Sequence, residues 1–166
     1  MTTKTQQLHK SKIDLPESTR SKVIDILNKT LAATLDLKTK VKQAHWNVKG
    51  WDFYQLHLLF DEIAGEVEEY TDLFAERVTT LGGYAMGTAR AAAQNSFLPE
   101  YPYDAVGSVD HLNALAERLA AFAKNVRENI DVTAQLGDQA TADVYTEVTR
   151  KIDMRLWFIE AHLQGN

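Results

Sequence analysis

The feature of this sequence that most constrains its fold is where its glycine and proline residues fall. Apart from Gly65, they cluster at a few positions, and the segments between the clusters are long and rich in helix-forming residues. Each segment is longer than an ordinary β-strand, and its apolar residues recur on one helical face. The chain is therefore predicted to be all-α, with long helices over residues 17–49, 53–81, 108–136 and 139–164.

The connections between these helices predict how they are arranged. Gly50 and Gly137 mark short connections, so we expect the first two helices, and the last two, to be antiparallel neighbours. Ser108 is a good N-cap, and Gly82 suits a helix end in the left-handed conformation. The remaining connection, of about 25 residues, is long enough to cross the bundle and to carry a short helix over residues 88–96. This is the connectivity of a ferritin-like four-helix bundle.

Composition limits the classes of protein to consider. The 166 residues suit one domain, predicted over 17–166, and the apolar fraction of 45% is typical of a globular protein. The absence of cysteine excludes disulfides, thiolate nucleophiles and sulfur-ligated metals, so any metal must bind nitrogen and oxygen. The formal net charge of −5 argues against a body that coats nucleic acid.

The amino-terminal residues 1–16 are polar and are predicted to form a flexible arm. They lack the apolar run of a secretory signal, and no apolar stretch of about 18 residues occurs elsewhere. The sequence therefore predicts a cytoplasmic protein that does not associate with membranes.

The second predicted helix carries a polar stripe on the face opposite its apolar residues. His57 and Asp61 form one pair four residues apart, and Asp72 and Glu76 form another. At about 1.5 Å per residue the two pairs lie about 22 Å apart, so they cannot share a metal within one helix. If two copies pack antiparallel about a two-fold axis, the first pair of one chain faces the second pair of the other. Ordinary solvation of an amphipathic helix would also explain the stripe.

Two further residues fit the two-fold arrangement. Gly65 lies on the same face near the proposed axis, and it costs about 1 kcal/mol relative to alanine, so close backbone approach is a reason for it. His45, on the apolar face near the end of the first helix, lies in the antiparallel neighbour within reach of His57. A hydrogen-bonded core histidine is the alternative interpretation of His45.

Two imidazoles and three carboxylates form a donor set that suits iron(II), manganese(II) or zinc. Motifs for other chemistry are missing, since the sequence has neither a glycine-rich phosphate loop nor a nucleophile elbow. No histidine has glutamate three residues before it, so the Glu-x-x-His pair of a di-iron site inside one bundle is also absent. The pattern predicts a metal site that two chains share.

The residues of this stripe belong to a longer pattern. The run KQAHWNVKG at 42–50, followed by His57, Asp61, Asp72, Glu76 and LGG at 81–83, closely resembles the Dps family of mini-ferritins. Matching residues also occur at 85–88, 101–104, 110–112, 141–143 and 156–160, so the resemblance covers nearly everything after residue 20. It implies a ferroxidase centre between two subunits, with His45, His57 and Asp61 from one subunit and Asp72 and Glu76 from the other.

The resemblance also implies an assembly and a reaction. Members of the family form a hollow homo-dodecamer built from two-fold dimers, oxidise iron(II), usually with hydrogen peroxide, and store ferric oxide inside. Asp143 matches a position in an acidic three-fold iron-entry pore, and Asp138 and Glu147 lie near it in the sequence. A helix N-terminus that favours carboxylates would explain these residues equally well.

Some family members bind DNA without sequence specificity and associate with the nucleoid, through a basic amino-terminal arm. Lys4, Lys10 and Lys12 are the candidates here, because twelve weak arms on one particle would act multivalently. A solubilising tail is the alternative for this segment. For the whole chain, the alternative to an iron-storage ferroxidase is a metal-free helical-bundle assembly or scaffold protein whose polar stripe is only an interface.

Overall fold

A computed structural model describes residues 8–165, and within them it contains five helices and no strand. The all-α prediction is confirmed, and each helix ends within two residues of its predicted end. None of these helices is long and apolar enough to cross a bilayer. Their bounds are Glu17–Asn47 (α1), Phe53–Thr80 (α2), Ala89–Asn95 (α3), Ser108–Gln135 (α4) and Gln139–Leu163 (α5).

The helices form two antiparallel hairpins that pack into one bundle. α1 lies along α2, α4 lies along α5, and the short α3, in the connection between the hairpins, packs against α1. The apolar face of each long helix is buried in the shared core, as the spacing of its apolar residues predicts. Phe74 and Tyr145, with rings 5.2 Å apart, join α2 to α5 there. The fold is the predicted four-helix bundle with one long crossover, which carries the predicted short helix.

The glycines that follow two of the helices adopt the conformation expected of helix ends. Gly82 has φ +88° after α2, and Gly137 has φ +89° after α4. The prediction that Ser108 caps α4 is wrong, because Gly107 is the N-cap and the helix begins at Ser108. Asp110 accepts a hydrogen bond from the backbone N–H of Gly107 at 3.0 Å, so the helix end is satisfied without the serine.

The second half of the predicted amino-terminal arm lies against the body. The backbone N–H of His9 donates to the carbonyl oxygen of Gly82 at 2.8 Å. The buried guanidinium of Arg20 donates to the carbonyl oxygens of Leu15, at 3.3 Å, and Leu81, at 2.8 Å. Leu8 and Leu15 also pack against the core. An arm separate from the body would therefore end before residue 8, and Lys4 lies outside the described residues.

Candidate metal centre

Two histidines face each other where α1 ends and α2 begins. The Nδ1 atom of His45 lies 2.8 Å from the carbonyl oxygen of His57, and Nδ1 of His57 lies 2.9 Å from the carbonyl oxygen of His45. The two rings are stacked with their centroids 3.8 Å apart. Because a carbonyl oxygen only accepts, both Nδ1 atoms carry a proton, and in a neutral imidazole this leaves the lone pair on Nε2. The pair is therefore fixed in a tautomer that suits metal binding through Nε2.

A carboxylate lies one turn further along α2. Oδ1 of Asp61 is 4.0 Å from Nε2 of His45 and 2.6 Å from Nζ of Lys42. The hydrogen bond from Lys42 holds the pKa of Asp61 below its ordinary value, so the carboxylate is charged near neutral pH. The structure thus places Asp61 beside the His45–His57 pair, with the three side chains of one chain still too far apart to hold a metal by themselves.

Lys42 is a functional candidate that the sequence reasoning missed. Its ammonium group pairs with Asp61 and lies 5.8 Å from the centre of the Trp46 ring. A cation that binds Asp61 must compete with this ammonium group for the same oxygen. The available indication was the position of Lys42, one helical turn before His45 on α1.

The other two predicted ligands lie towards the opposite end of α2. Asp72 and Glu76 are exposed, and within residues 8–165 neither has an ion-pair partner. α2 is one continuous helix, so its geometry keeps them about 22 Å from the His57 and Asp61 pair of the same chain. No three histidine or acidic side chains among the described residues come close enough to hold a metal by themselves. One chain therefore offers two partial donor sets.

Between these two sets, the outward face of α2 is open. Gly65 is exposed, and a Cβ atom added to it would have nothing within 4 Å. Glycine is therefore not required at this position by packing inside one chain. The surface of the single chain thus has room for a larger side chain at this point of α2.

Asp138 is not available to an iron-entry pore, which corrects one of the three predicted residues. It is 2% exposed, and its carboxylate accepts hydrogen bonds from the guanidinium of Arg77 at 2.8 Å and from the N–H of Thr141 at 3.0 Å. The group thus caps α5 and pairs with a cation inside the fold. Asp143 is exposed, and the half-exposed Glu147 pairs with Lys151 at 2.8 Å.

The candidate DNA-binding lysines divide into two groups. Lys10 and Lys12 are exposed on the segment that lies against the body, and Lys4 precedes the described residues. The two described lysines therefore lie on the surface of the bundle and not on a separate arm.

Comparisons with known proteins agree with one another. Residues 24–165 match the ferritin-like domain family. The chain is 44% identical over 156 residues to the DNA protection during starvation protein of Agrobacterium fabrum, covering 94% of this chain and 96% of that protein. Among solved structures, DpsC from Streptomyces coelicolor superposes with a TM-score of 0.91 at 35% identity, covering 96% of this chain and 94% of that one. Mycobacterium smegmatis Dps superposes with a TM-score of 0.90 at 29% identity, covering 95% and 96%.

Proposed function

The chain belongs to the Dps family of ferritin-like proteins, and on that basis we propose that two copies of it share centres that oxidise iron(II). Family membership implies iron storage and the protection of DNA. The proposal assigns His45, His57 and Asp61 of one copy and Asp72 and Glu76 of the next to one centre. Iron is both the substrate and the stored product.

The observation that carries this proposal is the His45–His57 pair. Both rings are held with Nδ1 protonated, and Asp61 lies beside them on an exposed face, while residues 8–165 of one chain contain no complete metal site. Asp72 and Glu76 lie on the same helix face and have no ion-pair partner among the described residues, and an antiparallel second copy would need them there. The open surface at Gly65 supports a helix crossing between the two sets.

The donor set also suits the reaction. Three carboxylates stabilise iron(III) more than iron(II), which lowers the reduction potential and favours oxidation. With hydrogen peroxide as oxidant, two iron(II) ions each give up one electron, the O–O bond breaks, and two protons are taken up to form two waters. A centre that delivers both electrons to one peroxide molecule releases no hydroxyl radical. This is how iron removal would protect DNA chemically.

The stored product requires a closed assembly. We propose a homo-dodecamer built from two-fold dimers, in which each dimer holds two shared centres. Iron entry would use an acidic pore, with Asp143 and Glu147 as the candidates. A negative potential at such a pore raises the local concentration of iron(II).

We also propose that the particle binds DNA without sequence specificity and associates with the nucleoid in the cytoplasm. Lys4, Lys10 and Lys12 supply the positive charge, and multivalency compensates for weak individual sites. The relative from Agrobacterium fabrum carries DNA protection in its name.

Iron oxidation by the assembled protein tests the proposal. Anaerobic protein receives iron(II) and then peroxide, and the ferric absorbance of the protein fraction is followed after gel filtration. A ferroxidase consumes about two irons per peroxide and keeps the product bound, and His57→Ala or Asp72→Ala should lose this. A metal-free scaffold would give the same slow oxidation as buffer, with no difference between wild type and the variants.

A further inference from the structure

We propose that Ser108 and Asp52 are positioning residues for the His45–His57 pair, acting through the turn that joins α1 to α2. This inference rests on the proposed metal function, because it concerns how that site is held in shape. Ser108 is the first residue of α4, and there the second hairpin contacts this turn.

The contact joins α4 to both sides of the turn. The buried hydroxyl of Ser108 donates a short hydrogen bond to Oδ1 of Asp52, the residue before α2. Its Oγ atom also lies 3.2 Å from the carbonyl oxygen of Lys49, two residues after the end of α1. The backbones of Lys49 and Gly107 form an isolated parallel bridge beside it. The turn is therefore held by contacts with the start of α4 as well as by its own backbone.

Neither side chain in this contact caps its own helix. Asp52 occupies the N-cap position of α2 but makes no side-chain cap hydrogen bond. Serine is a preferred N-cap residue, yet Ser108 lies inside α4 and leaves the cap to Gly107. Each side chain is used for the contact between hairpins and not for its own helix end. Local preferences broken at both partners of one contact indicate a constraint that comes from a functional site.

Gly50 makes the close approach feasible. Its φ of +137° is unfavourable for other residues, and a Cβ atom there would lie 2.9 Å from Oγ of Ser108. It would also lie 3.4 Å from Oδ1 of Asp52. The backbone of the turn is thus shaped around the Ser108–Asp52 hydrogen bond.

The geometry of the turn controls the two histidines. His45 lies two residues before the end of α1, and His57 lies in the first turns of α2. Each donates to the backbone of the other helix at 2.8 and 2.9 Å, so a displacement of α1 relative to α2 would lengthen or misalign these hydrogen bonds. The two stacked rings would then change their positions relative to each other. By holding the turn in place, the Ser108–Asp52 hydrogen bond preserves the orientation in which the histidine pair would bind a metal.

Cobalt(II) titration of the assembled protein tests this inference, with the visible absorbance of the bound ion as readout. Ser108→Ala should weaken cobalt binding severalfold, less than the roughly 10–100-fold cost of losing a group that hydrogen-bonds directly to a metal ligand. Ser96→Ala is the matched control, because Ser96 donates a similar hydrogen bond, at 2.5 Å, to Asp36 between the crossover and α1. We expect both variants to lower the thermal midpoint by similar amounts, and only Ser108→Ala to weaken cobalt binding.

Asp52→Asn tests the same contact without shortening a side chain, and it serves if Ser108→Ala fails to fold. It should weaken cobalt binding severalfold, and the double variant should be no worse than Ser108→Ala alone. Wild-type cobalt affinity in both single variants, with binding lost in His57→Ala, would overturn the inference and leave the proposed function standing. Equal binding by wild type and His57→Ala would overturn both.

Discussion

The Nδ1 atoms of His45 and His57 each donate to the backbone carbonyl oxygen of the other residue, at 2.8 and 2.9 Å. This reciprocal pair fixes both tautomers before any metal binds, so ordering the rings adds little to the cost of binding. It also makes the end of α1 and the start of α2 one structural unit. His45 is therefore buried and hydrogen-bonded, as the core-histidine interpretation expects, and it also has a second imidazole stacked on it.

Lys42→Met should tighten metal binding at the histidine pair. The ammonium group of Lys42 lies 2.6 Å from Oδ1 of Asp61, and both competes for that oxygen and repels a cation. Removing it should raise cobalt affinity about fivefold, comparable to the ~1 kcal/mol between two unit charges 4 Å apart in water. Lys38→Met is the control, because Lys38 pairs with Glu68, which is not a proposed ligand. An unchanged affinity in Lys42→Met would show that the ammonium group does not compete.

The same substitution should change the pH dependence of binding. Lys42 is the main cause of the lowered pKa of Asp61, so the pKa in Lys42→Met should rise towards the ordinary value of 3.8. Protons then compete with the metal at a higher pH than in wild type. The gain in affinity should therefore shrink as the pH falls towards about 4.

The fold was largely predictable from the sequence because the signals that determine it act between residues close together in the chain. Helix-forming segments, apolar spacing and glycines such as Gly82 and Gly137 act within a few residues, and they placed the helix ends correctly. The pairing of α1 with α2 followed from the short connection at Gly50. Ser108 was misassigned because its preference as a cap was overridden by Asp52, a residue far away in the chain.

The site was predictable only in part, for the same reason. His57 and Asp61 are visible as a spacing on one helix, but the pairing of Lys42 with Asp61 depends on how two helices are rotated against each other. The sequence alone predicts Asp138 to be an acidic surface residue, because its partner Arg77 comes from another helix. No pattern in residues 8–15 predicts that Arg20 holds this segment against the body.

Gly65→Leu should loosen the dimer without unfolding the chain. The position is open in the single chain, so the fold has room for the side chain, whereas a helix crossing there would be overpacked by roughly 1–3 kcal/mol per site. Gly65→Ala is the smaller control and should favour the helix itself. Sedimentation and circular dichroism measure the two effects separately. Unchanged assembly in Gly65→Leu would place the two-fold axis elsewhere.

Asp138 and Asp143 should respond differently to substitution. Asp138→Ala removes the buried partner of Arg77 and the cap of α5, so the free energy of unfolding should fall by about 3 kcal/mol. Asp143→Asn should leave stability within about 0.5 kcal/mol of wild type but slow iron oxidation severalfold at low salt. Stopped-flow oxidation and chemical denaturation measure these outcomes. If Asp143→Asn oxidises iron at the wild-type rate, iron enters by another route.

DNA binding is best tested without disturbing the body. Residues 8–15 pack against the core, so a truncation should remove only residues 1–7, which include Lys4, and should be combined with Lys10→Gln and Lys12→Gln. This protein should lose DNA binding and keep iron oxidation, because no proposed ligand precedes His45. Wild-type binding should weaken steeply with added salt. Equal DNA retardation by both proteins in a gel-shift titration would exclude these lysines.

The central claim is that each centre takes ligands from two chains, and complementation between variants tests it most directly. His57→Ala and Asp72→Ala should each be inactive alone. In a mixed dimer, one of the two centres has His57 from one chain and Asp72 from the other, so it is complete. Random co-assembly in equal amounts makes half of the dimers mixed, which restores about one quarter of the wild-type centres.

The decisive measurement is peroxide-driven iron oxidation by co-expressed His57→Ala and Asp72→Ala chains, with mixed particles verified by native mass spectrometry. We predict about one quarter of the wild-type rate per particle, against the background rate for each parent. Co-expressed His57→Ala and Asp61→Ala chains are the control, because both substitutions affect the same half of the centre and no mixed dimer is complete. Mixed His57→Ala and Asp72→Ala particles that remain as inactive as their parents would contradict the shared centre.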